Sequence, residues 1–548
     1  MKRTFAAIAL LALVWGLYAQ TGWFSILACD DLCYISICPF VQDGLTWENV
    51  RTAFFGEFCW GGIWMPITSV TYMAIISMFG KAAAGPQHLV GVLFHSVNAV
   101  LFFILLMRIG RGRILLPFLA AALWALHPLR AESVAWIASR KDTIFTFFML
   151  LGLISWHQSL SVAERGRRVL LVVASYVAMA CSCMSKPTAM CFPLLALCIE
   201  YLSPETGARC LTLRANLRDK LKYVPLFVMA AATGILAAFS QSHVVGGDLE
   251  LYYGSLTWRL TNAAVALGMQ LYHTILPRGL NYFYRPIYDG LPMNTALGLS
   301  VLAIATALVY WAFNRRTDLR RQIFWCGFWF MASIAPTLGI AASFGHQAYA
   351  DRFTYVPMMA FSLLLVTCAP TCGRLARQLS VVAAIAALSY SAVSMWYIGT
   401  FRDDASVFAR VLACDEMNSD AWRGLGGALF IRTKDPGVAI PYFRKAIEVN
   451  PEDKAGLDLL YMLRQRNTPE DKKEFEQLVA QFREEPLLDQ DGLVLDMLVD
   501  DALAAKDYAE ARRYLEAMAR VTNAQFAAKA RKLLSQLPSS TKTGPFIR

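Results

Sequence analysis

Apolar residues fill the first 401 positions in long runs, and charged residues fall almost entirely between them. A helix that crosses the hydrocarbon core of a bilayer needs about 20 mostly apolar residues, within a range of roughly 17–25. Eleven runs meet or approach that length: 5–27, 87–107, 114–127, 133–157, 169–185, 188–204, 223–241, 291–313, 322–342, 353–371 and 379–399. The third is short and needs the turn after it to complete a crossing. Two further apolar stretches, 64–80 and 258–277, read as interfacial or re-entrant helices on the outer face, since a crossing at 258–277 would reverse the side of the basic cluster Arg315–Arg321. The pattern predicts an all-α, polytopic membrane domain over 1–401, with an outer loop at 28–86.

The polar connections set the orientation. Basic clusters occur at Lys2/Arg3, Arg108/Arg111/Arg113, Arg165/Arg167/Arg168, Arg209 to Lys222, Arg315 to Arg321 and Arg374/Arg377, one in every second connection. Positively charged loops stay cytoplasmic, so the amino terminus is expected inside and the chain beyond the eleventh run outside. The first 27 residues also have the basic start and apolar stretch of a signal peptide. Without a clear A-x-A site they read as an uncleaved first helix.

After Phe401 the pattern changes to short amphipathic segments. AWRGLGGALFIRTKDPGVAIPYFRKAIEVNP places Trp422, Leu425, Gly426, Ala439, Phe443, Ala446 and Pro451 in the tetratricopeptide pattern, with one extra residue in the turn. A weaker copy runs through Asp507, Tyr508, Ala511, Leu515 and Met518, with a degenerate helical pair between the two. Residues 402–548 are therefore expected to form two to four α-helical repeats on the outer side.

Composition narrows the class. Of 548 residues, 57% are hydrophobic and 17% charged, against about a quarter charged in ordinary soluble domains. The net charge of +11 suggests a nucleic-acid partner until it is divided. Residues 1–401 hold 29 Lys and Arg against 16 Asp and Glu, and residues 402–548 hold 22 against 24, so the excess lies wholly in the membrane part and marks topology. Cys29, Cys33, Cys38 and Cys59 share the first outer loop, where either disulfides or simple packing fit. Their pairing is open, since four cysteines allow three connectivities.

Candidate chemistry gathers on the outer side. Asp30 and Asp31 follow the first apolar run directly. They read either as a solvated helix end or as a general base that takes a proton from an acceptor hydroxyl, with each carboxylate raising the other's pKa. HPLRAESVAWIASRKD packs His127, Arg130, Glu132, Arg140, Lys141 and Asp142 into the turn between the third and fourth runs. Charges at such depth mark function or an internal ion pair. Lys186 precedes Pro187 at the same level, Tyr284 and Arg285 lie in the 278–290 loop, and His346, Asp351 and Arg352 fill the last outer loop. Several cations on one face suit a phosphate leaving group, on which charge develops. Walker A, HExxH and GxSxG sequences are absent. An enzyme built this way would draw its energy from an activated lipid.

Five stretches then carry a resemblance: CDDLCYISICPFVQDGLTWENVRTAF, QHLVGVLFHSVNAVLFF, HPLRAESVAWIASRKD, NAAVALGMQLYHTILPRGLNYFYRP and QAYADRFTYVP. In that order the chain resembles the transmembrane and tetratricopeptide repeat-containing family, bacterial branch, which is similar to GT-C glycosyltransferases and related to protein O-mannosyltransferases. The resemblance implies transfer of a sugar from a polyprenyl-phosphate donor on the periplasmic face of the inner membrane, without a nucleotide. It implies Asp30 or Asp31 as base, the other placing the acceptor, and Arg140, Lys141, Lys186 and Arg352 as grips on the carrier phosphate. His127, Arg130, Glu132, Asp142, Tyr284, Arg285, His346 and Asp351 become candidate substrate contacts, while His88, His95 and Asn98 match family positions on the second helix. No metal ligands are assigned, and a divalent ion stays open. One departure is GGIWMPITS, where bacterial relatives read NWHPLTW: Met65 replaces the histidine.

The expected function is O-glycosylation of an exported protein, recruited by the repeats, with inversion at the sugar. Alternatives are a non-enzymatic repeat scaffold for envelope or pilus assembly, a GT-C enzyme acting on a lipid or cell-wall polymer, and a lipid-linked sugar flippase. The flippase would need charges deep in several helices, whereas these cluster on one face.

Overall fold

The computed structural model describes residues 2–56, 63–110, 112–203, 220–245, 255–285, 293–316, 319–340, 347–370, 372–451, 454–482, 492–521 and 524–537. Cys59 and His346 lie outside the described residues. The chain divides into two compact units, Met1–Val407 and Phe408–Arg548. Among the described residues every extended element is helical.

Among the described residues, seven helices of the first unit are long and apolar enough to cross a bilayer: Arg3–Trp23, Ala84–Ile109, Ile137–Ser161, Arg165–Cys183, Leu221–Ser240, Thr295–Arg315 and Arg374–Phe401. By length and composition the chain is a multi-pass membrane protein. The other four apolar runs form shorter helices, Leu115–Ala125, Phe192–Leu202, Arg320–Ile334 and Met359–Cys368. Each has a proline at or near one end: Pro128, Pro193, Pro336 and Pro357. Proline lacks the N–H that would continue the ladder, so the chain turns there or passes into 3₁₀ geometry. Pro66–Phe79 is a helix of 14 residues, too short to span. It sits beside the C-terminal end of Arg165–Cys183, where Ile67 N–H donates to the Met184 carbonyl at 3.2 Å.

The helix Ala84–Ile109 is the axis of this unit and packs against Arg3–Tyr18, Leu115–Ala125 and Arg140–Ser161. Its buried polar residues are ties. His95 Nδ1 meets the Tyr355 hydroxyl at 2.6 Å and Nε2 the Ala125 carbonyl at 3.0 Å. Asn98 donates to the Thr143 carbonyl at 2.8 Å, and His88 Nε2 reaches the Ser25 carbonyl at 3.2 Å. Low dielectric makes such satisfied bonds strong and directional, so they fix the register of the surrounding helices.

The expected continuous helix over 133–157 is broken. Pro128–Arg130 and Ile137–Ser139 are 3₁₀ turns on either side of the short helix Ala131–Ala135, Trp136 is extended, and the regular helix begins at Arg140. The expected outer turn at 127–142 is buried throughout. Irregular backbone at this depth is stable only inside protein, and here it forms the floor of the polar cluster described below.

In the second unit, Ser419–Thr433 and Pro436–Val449 form a helical hairpin, followed by Ala455–Arg466, Pro469–Phe482, Gly492–Ala504, Tyr508–Met518 and Ala524–Gln536. Asn418 accepts Ala421 N–H at 2.9 Å and Asp435 accepts Gly437 N–H at 2.8 Å, capping the first two helices. Ala439, Phe443 and Ala446 are buried in one core and Ala511, Leu515 and Met518 in another. A Cβ at Gly426 would come within 3.1 Å of Tyr442 Cβ, so this position keeps the two helices close.

Candidate active site

The first helix ends at Trp23, and an extended segment leads to Asp30 and Asp31. The two acids diverge completely. Asp31 is fully buried. Its Oδ2 accepts Leu27 N–H at 3.1 Å and its Oδ1 accepts Ala138 N–H at 2.6 Å, which fastens the loop to the 3₁₀ turn Ile137–Ser139. Burial pushes its pKa up to about 7, against the pull of those two amides; the Asp30 charge is a lesser cause. Mutual repulsion of the pair, expected from their adjacency, is thus secondary to desolvation.

Asp30 keeps 45% of its side chain exposed and lies 4.0 Å from Lys141 Nζ. Lys141 is nearly enclosed, its ammonium 4.5 Å from the centre of the Tyr34 ring. Further along, Lys186 Nζ pairs with Asp142 Oδ1 at 2.5 Å, and Arg352 Nη1 pairs with Glu132 Oε1. Glu132 Oε2 also accepts the Arg352 backbone N–H at 2.7 Å. Burial pulls the Arg352 guanidinium down, but Glu132, Tyr282 and Asp30 raise it further, so Arg352 stays cationic. Burial is the first cause that raises Glu132, opposed chiefly by Arg352.

Lys141, Lys186 and Arg352 therefore converge as expected cations, but each already faces a carboxylate. The cluster is balanced, three cations against Asp30, Asp142 and Glu132, as buried charge requires. The Lys141–Asp30 pair is the long one. Lys186, Arg352 and Asp142 line a recess whose walls include Phe145, Phe353, Val356, Pro357, Thr188 and Thr337.

Other expected residues are placed elsewhere. Arg140 turns away, donating to the Gln87 carbonyl at 2.6 Å and lying 4.5 Å over the Tyr72 ring. It ties Arg140–Ser161 to Ala84–Ile109. Arg130 is fully buried, donates to Thr354 Oγ1 at 2.5 Å and stacks 5.2 Å over Tyr355. His127 Nδ1 accepts Leu129 N–H at 3.2 Å and Nε2 meets the Thr274 carbonyl at 3.0 Å. Both ring nitrogens are thus engaged, and His127 caps the 3₁₀ turn Pro128–Arg130. Asp351 accepts Tyr284 Oη at 2.9 Å and Tyr397 Oη at 3.0 Å. Its pKa is raised by burial first and by Glu132 next. The phenol of Tyr284, stacked on Tyr349 at 4.1 Å, is thereby engaged, while Arg285 is exposed at the edge of the described loop. No disulfide joins Cys29, Cys33 and Cys38 to one another. Burial holds the Cys29 thiol up at about 12. Among the described residues no three His, Cys, Asp or Glu side chains converge as a metal-ligand set.

Tyr282, expected with Tyr284 and Arg285 in the 278–290 loop, is buried with its ring centre 5.1 Å from that of Trp136. Tyr34, Gln87 and Thr337 are not among the expected residues. They are uncharged, and in sequence they are indistinguishable from interfacial aromatics and helix-end polar residues.

Over 148 residues the chain is 30% identical to protein O-mannosyl-transferase Tmtc1 of Drosophila melanogaster, covering 26% of this chain and 16% of that protein. The chain resembles the animal protein O-mannosyl-transferases. A second such protein, from Caenorhabditis elegans, is 24% identical over 259 residues, 45% of this chain and 31% of its own length. The chain thus matches less than a third of the length of either O-mannosyl-transferase. No family model matches. Among solved structures, ArnT from Cupriavidus metallidurans bound to undecaprenyl phosphate is similar with a TM-score of 0.40 at 13% identity, over 85% of this chain and 81% of ArnT. The apo oligosaccharyltransferase of Archaeoglobus fulgidus gives 0.35 at 12% identity, over 87% and 59%.

Proposed function

We propose that the chain is a membrane glycosyltransferase of GT-C type, moving a sugar from a polyprenyl-phosphate donor to a hydroxyl of an exported protein on the periplasmic face. The observation that carries this reading is the divergence of the two acids. Asp30 keeps a partly open carboxylate beside Lys141, while both oxygens of Asp31 accept buried amides. Asp30 is then the base and Asp31 the residue that holds its loop. The acceptor oxygen attacks the anomeric carbon and its proton passes to Asp30. The bond from that carbon to the phosphate oxygen breaks, the electron pair leaves with the phosphate, and configuration inverts. Lys141, Lys186 and Arg352 stabilise the charge that develops on the phosphate, and the apolar side of the recess suits the first isoprene units. Similarity to proteins named O-mannosyl-transferases favours a protein acceptor. The second unit, with its Trp422 to Pro451 pattern on a helical hairpin, serves as tetratricopeptide repeats that recruit it.

The test incubates purified full-length protein, and its Asp30→Asn and Asp31→Asn variants, with membrane-extracted polyprenyl-phosphate sugars and periplasmic proteins, following transfer by intact mass. Wild type is expected to transfer. Asp30→Asn, folded, is expected to lose roughly 10²- to 10⁴-fold in rate, the usual worth of a general base. Equal transfer by wild type and Asp30→Asn would refute the assignment.

A further inference from the structure

The segment leaving the last membrane helix is tied to the loop that carries Asp30. Ser25 donates its backbone N–H to the Arg402 carbonyl at 3.0 Å. Ala28 donates its N–H to Asp404 Oδ1 at 2.6 Å. Between them, Leu27 N–H goes to Asp31. Three of the four amides from Ser25 to Ala28 thus have distant or cross-loop acceptors, and Asp30 is two residues past the last.

Asp404 makes this contact because its neighbour does the capping. Asp403 Oδ1 accepts both the N–H and the hydroxyl of Ser406, each at 2.8 Å, at the start of helix Asp404–Cys414. A first-turn acid ordinarily serves the N-terminus of its own helix. Asp404 turns its carboxylate to another part of the chain, 376 residues away.

We propose that Asp404 is a positioning residue for Asp30, clamping the acid loop at Ala28 while Ala138 holds it at Asp31. This rests on the reading of Asp30 as base. With the clamp, the stretch Cys29–Asp30 is held at Ala28 by Asp404 and at Asp31 by Ala138. Without it, the Ala28 amide turns to water and Asp30 is held from one end. The same helix carries the chain towards the second unit, so the base is supported by the segment through which that unit is attached.

The experiment compares full-length wild type, Asp404→Asn, Asp404→Ala and Asp30→Asn by two readouts. One is hydrogen exchange of a peptide covering 25–31, which needs no assumption about activity. The other is the kcat and KM of sugar transfer. An Asn oxygen still accepts from Ala28, so Asp404→Asn is expected to match wild type in both. Asp404→Ala is expected to exchange faster in that peptide and to lose roughly 10- to 100-fold in kcat with donor KM unchanged, the scale of a misplacement of about 1 Å. Unchanged exchange in Asp404→Ala would overturn the clamp. Faster exchange with full kcat, while Asp30→Asn is inactive, would overturn the positioning role. Wild type without transfer in every donor and acceptor extract would instead retire the glycosyltransferase reading, and the positioning role with it, leaving the exchange data to report the clamp alone.

Discussion

The Asp31 carboxylate accepts the Ala138 amide at 2.6 Å, across 107 residues of chain, and so joins the loop after the first helix to the buried turn before Arg140. Lys141 follows that turn on the same helix, and Asp30 precedes Asp31. One hydrogen bond therefore sets the distance between the candidate base and the first cation of the cluster.

Replacing Asp31 tests that bond. Asn offers one acceptor oxygen where the carboxylate offers two, so one of the Leu27 and Ala138 amides loses its partner. A buried unpaired donor costs roughly 1–3 kcal/mol, and thermal unfolding in detergent should show Asp31→Asn destabilised by that order. The pH dependence should change as well. Asp31 has an unperturbed pKa of 3.8, raised to about 7 in the fold. Between those values the native state holds a proton that the unfolded state has lost, so this group's contribution to stability falls as pH rises from about 4 to about 7. The fall is complete above the folded pKa. Asp31→Asn should flatten that slope, and an unchanged slope would contradict the assigned burial.

Lys186 and Asp142 form a close pair in the cluster, both nearly enclosed. Lys186→Ala leaves the Asp142 carboxylate without its cation, and breaking a buried pair from one side costs about 3–5 kcal/mol. The double variant Lys186→Met with Asp142→Leu removes both charges and should recover most of that loss. A double variant as unstable as the single would show that the pair is not the source of the effect.

Gly268 and Gly298 bring helices Leu256–Ile275 and Met293–Arg315 into close approach. A Cβ at Gly268 would overlap the Gly298 carbonyl group, which is backbone and has no rotamer to relieve it. Small residues permit such approach between apolar helices. Gly268→Ala should separate the two helices and lower stability, by roughly 1–3 kcal/mol for overpacking. Unfolding unchanged from wild type would mean that the helices are less close than described.

Orientation has an inexpensive test. Reporter fusions after Arg402 are expected to be active only in the oxidising outer compartment, and fusions within the Arg315–Arg321 connection only in the cytoplasm. Cytoplasmic activity of the first fusion would reverse the sidedness on which the acid placement depends.

Much of the membrane part was legible because its signal is one-dimensional. Seven of the eleven apolar runs form helices of spanning length, since about 20 apolar residues in a row have one good conformation in a bilayer. The buried faces of the hairpin at 419–449 were readable for a similar reason: Ala439, Phe443 and Ala446 recur at helical spacing. The break at Trp136–Ser139 was not, because no proline or glycine marks it and its stability comes from burial by other helices.

The site divides the same way. Sequence alone picked out the charges that interrupt or border the apolar runs, because charge is costly within such runs and its positions stand out. It could not decide between Asp30 and Asp31, which are chemically identical neighbours, nor separate Arg140 from Lys141. Those distinctions belong to the tertiary structure: the Leu27 and Ala138 amides engage Asp31, and Gln87 and Tyr72 engage Arg140. The physical reason is that a side chain's role follows from which partner desolvates and orients it, and here those partners, Asp31 with Ala138 and Ala28 with Asp404, come from 107 and 376 residues away.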